Sequence, residues 1–217
     1  KKIRTIKFFK KFHKWPAIVI AFFAIIFAVS GIFMNHRQTF SSFNISRKIL
    51  PSTYTYNNWN LAAVRGSVPL NDNSFLMYGN IGVWKTNDNY KTFTDFNKGF
   101  PKGIDNRKIY SIVKKGSALF AGTHLGLYKR NLQEGNWQKV ELPVEKNRIA
   151  DLVLKQDTLL VLTRHYLLKS FNGNDFTKIQ LPDPQGYQRK VGLFNTLWEL
   201  HSGELFGLPG KLLVALL

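Results

Sequence analysis

The order of apolar and polar positions divides the chain into a charged start, one long apolar run and a series of short alternating runs. Residues 15 to 34 are twenty consecutive positions without a charged side chain. As an α-helix this run would span roughly 30 Å, the thickness of the hydrocarbon core of a bilayer. It ends at Asn35, His36 and Arg37 and not at a small-residue cleavage site. We therefore predict a retained transmembrane helix over residues 15–36.

The charges that flank this helix give its orientation. Residues 1–14 contain seven Lys or Arg and no acid. By the positive-inside rule they form a basic cytoplasmic tail, and nearly everything after the helix is exported. We expect the tail to orient the anchor and to contact anionic lipid, and we expect no nucleic-acid partner.

The exported part begins with a polar connector over residues 37–73 and continues as short apolar runs. These runs are rich in β-branched and aromatic residues, and turn signals separate them at intervals of about ten residues, which is typical of an all-β domain. The nine runs are Phe75–Gly79, Gly82–Thr86, Lys108–Val113, Ala118–Thr123, Leu127–Arg130, Trp137–Leu142, Arg148–Leu154, Thr158–Thr163 and Tyr166–Ser170. They predict a periplasmic β-repeat domain over residues 74–182.

The runs also repeat along the chain. Residues 82–85, 126–129 and 166–169 occupy equivalent places, at offsets of 44 and 40 residues, and this period is the length of one four-stranded propeller blade. The repeats resemble the blades of two-component-regulator and sialidase-repeat propellers. Two to three units cannot close a ring, which needs at least about four. The predicted fold class is therefore a membrane-anchored, mainly β protein with an open, incomplete propeller-like set of antiparallel repeats. Its sheet edges need cover from the connector, the membrane-proximal segment or a partner. A plain twisted meander or sandwich is the alternative.

The pattern becomes helical again after the β region. Apolar residues recur with a helical spacing over residues 191–200, so the segment 183–207 is predicted to return along the membrane surface. Residues 208–217 are predicted to start a second transmembrane helix, with Pro209 near its first turn. We expect that helix to continue beyond residue 217. The alternative is a short amphipathic helix that lies on the membrane surface.

Composition limits the chemistry of the exported part. The formal net charge is +18, and the residues outside the tail hold 24 bases against 13 acids. This surplus favours a surface toward anionic headgroups, an acidic partner or an anionic ligand, without choosing among them. Cysteine is absent, which excludes a disulfide partner, a thiolate metal site and c-type haem attachment.

Histidines at the membrane boundaries are the candidate functional residues. The β region contains no nucleophile elbow, metal-binding helix motif or phosphate-binding loop, and its two histidines, His124 and His165, are expected to lie at its rim. His13, His36 and His201 flank the predicted membrane segments, and neutral imidazole is a usual axial ligand of haem iron. His13 and His36 are 23 residues apart, about 34 Å along a helix, so they cannot share a metal. His36 and His201 are both expected near the outer face, where they could share one.

Two segments resemble a known family. The triplet His13-Lys14-Trp15 opens the anchor, Ser30-Gly31 lies near its end, and residues 200–211 read LHSGELFGLPGK. These segments are similar to those of the PepSY-associated transmembrane proteins, and four-helix members of that family are similar to haem-binding inner-membrane reductases linked to siderophore-iron use. The resemblance implies a Gram-negative inner membrane and a periplasmic main domain. It also implies that His13 and His201 are ligand candidates for haem b on the cytoplasmic and outer sides.

These observations leave two functional hypotheses. The first is a haem-dependent membrane reductase that passes electrons to an exported acceptor such as a ferric chelate. The second is a membrane-anchored interaction module whose sheet edges and basic face dock an envelope partner. A peptidase-regulating or sensor role follows only from the wider range of the family. In each case the expected partners are the lipid bilayer and other membrane or envelope subunits.

Overall fold

The computed structural model describes residues 2–52, 58–87, 90–133, 135–145 and 147–216. Residue 1 of the predicted tail and residues 53–57 of the predicted connector lie outside this range. The chain divides into two compact units. One unit consists of the two ends of the chain, up to Phe40 and from Pro184 onward, and the other is Ser41–Asp183.

The end unit is helical and begins with one long helix. Helix α1 (Lys2–Asn35) has 34 residues, so the helix starts within the basic tail and runs without a break through the predicted membrane segment. Within the described residues, its stretch Phe12–Met34 is the one helix that is long and apolar enough to cross a membrane. Its apolar side chains are exposed, with Phe27 70% and Met34 73% accessible. Such a helix is suited to lipid, because the hydrocarbon core solvates these apolar side chains and no protein core is needed around them. The short helix α2 (Arg37–Phe40) follows.

Two further helices complete the end unit. Helix α3 (Leu193–His201) begins two residues after the predicted start, because Gly192 is its extended N-cap residue. Helix α4 (Gly207–Leu216) covers the predicted start of the second membrane segment. Pro209 is the third residue of α4, where a backbone N–H would have no intrahelical acceptor, so proline costs nothing there.

The second unit consists of three antiparallel sheets with four strands each. Each sheet is a meander in chain order: sheet 1 is β1–β4, sheet 2 is β5–β8 and sheet 3 is β9–β12. The strands in the described residues are β1 (Val64–Asn71), β2 (Ser74–Gly79), β3 (Gly82–Thr86), β4 (Thr94–Asp95), β5 (Ile109–Lys115), β6 (Ala118–Thr123), β7 (Gly126–Asn131), β8 (Gln138–Val140), β9 (Ile149–Lys155), β10 (Thr158–Thr163), β11 (Leu167–Ser170) and β12 (Thr177–Ile179). The prediction of repeated blade-like sheets that do not close is confirmed.

The repeats are more complete than the sequence pattern indicated. Strand β1 lies within the stretch assigned to the connector, and the short strands β4 and β12 complete sheets 1 and 3. Three full units therefore replace the expected two to three, and they remain too few for a ring.

Two apolar cores lie between the sheets. The first joins sheets 1 and 2 through side chains such as Leu76, Leu119 and Trp137. The indole of Trp137 is 2% exposed, stacks on Phe100 with 5.0 Å between ring centroids and donates from Nε1 to the Phe96 carbonyl at 2.8 Å. The second core joins sheets 2 and 3; its buried members are Phe120, Leu127, Ile149, Leu152, Leu159, Val161, Leu168 and Phe176. Sheet 2 is thus covered on both faces, whereas sheets 1 and 3 each keep one outer face.

Candidate functional site at the histidine turn

Candidate ligand His201 is the last residue of α3, and the helix ends at the cap residue Ser202 followed by Gly203. The Ser202 amide donates to the Trp198 carbonyl at 2.9 Å, and the Gly203 amide donates to the Leu200 carbonyl at 3.1 Å. Gly203 has a φ of 73°, in the left-handed region that favours glycine at a helix C-terminus. The position of His201 is therefore set by a regular helix end and not by a loose loop.

The next helix turns back directly over this end. A Cβ on Gly203 would collide with the carbonyl of Gly210, and a Cβ on Gly210 would collide with the carbonyl of Gly203. Both glycines are buried. The backbones of the α3 end and of α4 are therefore in direct contact, at a separation that only two glycines permit.

An ion pair spans the same turn. Lys211 Nζ lies 2.6 Å from Glu204 Oε1, and both side chains are about half exposed. An exposed pair of this kind contributes roughly 0–1 kcal/mol, so it orients α4 more than it stabilises the unit. Ser202 Oγ adds a hydrogen bond to the Glu199 carbonyl at 3.3 Å. Residues 200–211 thus form one compact turn, held together by these contacts, with His201 near its start.

Helix α3 is amphipathic, and His201 belongs to its apolar face. At 100° per residue, His201 falls between Leu197 and Phe194 around the helix axis. The opposite face is polar, and there Asn195 Nδ2 donates to Glu199 Oε1 at 3.0 Å. Phe194 is 83% exposed. A helix with an exposed apolar face of this kind is suited to the membrane interface; the return of residues 183–207 along the membrane surface stays a prediction.

The other two candidate ligands lie on or beside α1. His13 borders an open apolar groove along one face of the helix, lined by Phe12, Pro16, Ala17, Ile20 and Ala21. Small side chains at Ala17 and Ala21 leave room for a flat apolar group to approach the helix backbone.

His36 follows the last residue of α1, and its amide donates to the Ile32 carbonyl at 3.1 Å. Because α1 is continuous, His13 and His36 are separated by about 34 Å of helix. The structure therefore agrees with the geometric argument that they cannot share one metal.

The three histidines do not form a ready-made metal centre. Within the part of the chain that the structure describes, no three His, Cys, Asp or Glu side chains gather in a way that could hold a metal ion. The pairing of His36 with His201 stays a prediction. His124 and His165 lie in the turns after β6 and β10, at the rim of the β unit.

The sequence predicts the histidines as candidates but does not predict the contacts that position them. The two glycines of the close contact are seven residues apart, and so are Glu204 and Lys211. This shared spacing was the available signal for a chain that turns back on itself.

The comparisons with known proteins bear on the membrane helices and on the β unit separately. The family described as the PepSY-associated TM region matches residues 2–217. The chain belongs to this family. The match is longer than the two end segments that carried the resemblance in the sequence, and it makes α1 a helix of a membrane region. A search of curated proteins finds no match.

Solved structures resemble the β unit. Two crystal structures of the extracellular domain of BT4673 from B. thetaiotaomicron match, described as a hybrid two-component system in one case and as a one-component system in the other. They share 19% identity with this chain and cover 64% and 62% of it, with TM-scores of 0.49 and 0.50. This chain spans only 18% of the length of each domain. The likeness concerns the fold alone.

Proposed function

We propose that this PepSY-associated chain is part of a haem-linked electron-transfer protein of the bacterial inner membrane. In this proposal His13 is the candidate ligand of a cytoplasmic-side haem b and His201 of an outer-side haem b. The observation that carries the proposal is the setting of His201, a single imidazole on an exposed apolar helix face that a compact turn holds in place. Haem iron would supply one-electron transfer at each position.

The residues present fit one half of each site. The groove beside His13 is apolar, and the small side chains of Ala17 and Ala21 leave room along it; apolar surroundings suit the faces of a porphyrin. A further residue would help to hold the haem at each site. His36 is the candidate on the outer side, and a further membrane helix would supply the partner of His13.

The charge distribution supports the membrane orientation that this proposal needs. Seven bases in residues 1–14 favour a cytoplasmic N-terminus, and the β unit would then lie in the periplasm. Electrons would enter near His13 and leave near His201, toward an exported acceptor for which a ferric chelate is the expectation.

The test is haem content measured on the full-length protein. The protein is purified in detergent from haem-replete cells, and its reduced-minus-oxidised absorption spectrum is recorded. We expect a Soret band, and we expect His13→Ala and His201→Ala each to lower the haem content by about half if the sites are separate. His165→Ala is the matched control, because His165 is exposed at the rim of the β unit. A spectrum without a Soret band, or two variants with full haem content, would end the proposal.

A second candidate function is that of a docking module. It is favoured because the outer face of sheet 1 is covered by other side chains and the outer face of sheet 3 is more exposed. On the outer face of sheet 1, Trp84 contacts Trp59 with 5.5 Å between ring centroids. On the outer face of sheet 3, Val153 is 48% and Leu162 is 41% exposed. We infer that an envelope protein docks at sheet 3.

This second function can be tested with a photoreactive residue. A photo-crosslinking amino acid is placed at position 162 of the full-length chain in native membranes, and in a control at the exposed Gln133. We expect an adduct with one defined protein at position 162 and none at position 133. Equal or absent adducts would count against docking at sheet 3.

A further inference from the structure

The interface between sheets 2 and 3 shows which contacts join one sheet to the next in this fold. Lys115 of sheet 2 forms an ion pair with Asp157, in the turn between β9 and β10 of sheet 3. Lys129 Nζ donates to Asn174 Oδ1 at 2.9 Å. Between these polar contacts the apolar side chains of sheet 2 close the gap, and Phe120 is 1% exposed.

Sheet 3 repeats the same face on its outer side. In sheet 2, Phe120 pairs with Val113 on one neighbouring strand and with Lys129 on the other. In sheet 3, Leu160 pairs with Val153 and with Lys169. Every one of these positions is 40 residues after its counterpart, and so are Leu162 after Gly122, Leu167 after Leu127 and Lys155 after Lys115. The outer face of sheet 3 therefore carries residues in the same arrangement as the face of sheet 2 that packs against sheet 3.

The contacts that fill this face in sheet 2 are missing in sheet 3. Val153 and Leu162 are 48% and 41% exposed. Lys155 and Lys169 are exposed, and the ion pairs Lys108–Asp105, Lys115–Asp157 and Lys211–Glu204 involve other lysines. Strand β12 is followed by Leu181-Pro182-Asp183-Pro184, where the β unit ends, so no fourth sheet follows in the described chain.

We propose that this surface, the sheet 3 outer face (Val153, Leu160, Leu162 and Leu167 with Lys155 and Lys169), docks a β-sheet of a separate envelope protein through an acidic turn. The proposal rests on the docking function above and names the chemistry of its partner. A carboxylate of the partner would pair with Lys155 as Asp157 pairs with Lys115. Apolar side chains of the partner sheet would cover Leu160 and Leu162, as sheet 3 covers Phe120.

Charge argues against a second copy of this chain as the occupant. The strands of sheet 3 place two lysines, Lys155 and Lys169, and one carboxylate, Asp151, on this face, so two joined copies would bring four ammonium groups together with two carboxylates. Like charges placed opposite each other are destabilising. A partner with carboxylates at these places satisfies both lysines.

Zero-length crosslinking with a water-soluble carbodiimide tests the pairing, because the reagent joins a lysine ammonium to a carboxylate only when the two are in contact. Native membranes that contain the full-length chain are treated, and linked peptides are identified by mass spectrometry. The Lys115–Asp157 pair is the internal positive control. We expect Lys155 to link to an Asp or Glu of another polypeptide, within a segment of alternating apolar residues.

Two variants of Lys155 separate the effect of its positive charge from its reactivity with the carbodiimide. Lys155→Arg keeps the positive charge but forms no carbodiimide product, so the link should vanish while the photo-adduct at position 162 stays. Lys155→Glu should lower that photo-adduct at least tenfold. Lys102→Glu makes the same change of charge at an exposed lysine outside sheet 3 and should leave the adduct unchanged.

The outcomes distinguish this inference from the docking function. If the photo-adduct forms at position 162 but Lys155 links to no carboxylate while Lys115 links to Asp157, docking stands and the acidic partner is wrong. A link from Lys155 to a carboxylate of this same chain or of a second copy also overturns the inference. If neither adduct nor link forms, both fail.

Discussion

The outer faces of sheets 1 and 3 differ in how far residues from outside the strands cover them. On sheet 1, aromatic side chains from outside the strands lie over the face: Trp59 contacts both Trp84 and Phe93, and Tyr90 stacks on Phe75. The outer face of sheet 3 has less cover, and Leu162 on it is 41% exposed. The chain thus closes one end of the array with its own residues. The difference indicates that the other end is built to receive something else.

Lysines explain how the open face can exist before a partner arrives. Lys155 and Lys169 are exposed on it, and charged side chains on an exposed sheet discourage unspecific pairing with other sheets. Sheet 1 has a covered outer face and needs no such protection. The outer face of sheet 1 is therefore protected by aromatic cover, and the outer face of sheet 3 is protected by charged side chains.

The largest expected difference is between the inner and outer faces of sheet 3. Leu159 is fully buried against sheet 2, so Leu159→Ala should lower the free energy of unfolding of the β unit by about 3 kcal/mol. Leu162→Ala, on the outer face of the same strand, should cost less than about 1 kcal/mol. Denaturant unfolding of the full-length protein in detergent, followed by tryptophan fluorescence, measures both. Equal losses would mean that the outer face is covered in the isolated protein.

The cover of sheet 1 gives the next largest effect. Trp59 is 38% exposed, so Trp59→Ala should cost about 2 kcal/mol, somewhat less than a fully buried tryptophan. Trp59→Phe keeps an aromatic ring against Trp84 and should recover more than half of the loss. A loss for Trp59→Ala below about 0.5 kcal/mol would contradict the view that this face is closed by the connector.

How much of the β unit the sequence predicts depends on how many apolar side chains each strand contributes. The repeat was visible because residues 82–85, 126–129 and 166–169 carry the same pattern at a regular period. Strand β1 was missed because one of its inward positions is Gly66, where a Cβ would lie 2.5 Å from the Tyr78 hydroxyl. Glycine is needed there for close approach, and it breaks the alternation of apolar residues. Strand β4 has two residues and β12 has three, too few to show a pattern.

The candidate site was predictable in its residues and not in its geometry. A histidine beside a membrane segment is visible in the sequence, but the contact between Gly203 and Gly210 depends on how α4 turns back. Composition also could not show that the two ends of the β unit differ. Trp59 and Trp84 are 25 residues apart in the sequence, and their contact exists only in the folded chain.

Alkaline pH should weaken the interface between sheets 1 and 2 through two buried tyrosines. Burial raises the pKa of Tyr78 and of Tyr128 above the ordinary value of 10.0. Both hydroxyls are therefore harder to ionise in the folded state, so their contribution to stability is complete below about pH 10 and is lost as pH rises toward the raised pKa. The slope is at most about 1.4 kcal/mol per pH unit for each tyrosine.

Variants of these tyrosines locate the alkaline effect. The counterpart of Tyr128 in sheet 3 is Leu168, which has no ionisable group. Tyr128→Phe should flatten the fall in stability measured by unfolding at about pH 9 to 11. An unchanged slope in the Tyr78→Phe, Tyr128→Phe double variant would show that the alkaline loss arises elsewhere.

The smallest expected effect compares two lysines in the same register position. Lys115 is paired with Asp157, and the side chains are 14% and 87% exposed, respectively. Since the carboxylate is well solvated, Lys115→Met should cost at most about 1 kcal/mol, and high salt should shrink that loss. Lys155→Met removes an ammonium that pairs with no described carboxylate, so it should change stability by less than about 0.5 kcal/mol at any salt concentration. If the partner with the acidic turn is present, the order reverses in a binding measurement. Lys155→Met should then weaken the complex, whereas Lys115→Met leaves it intact because its pair lies inside the chain.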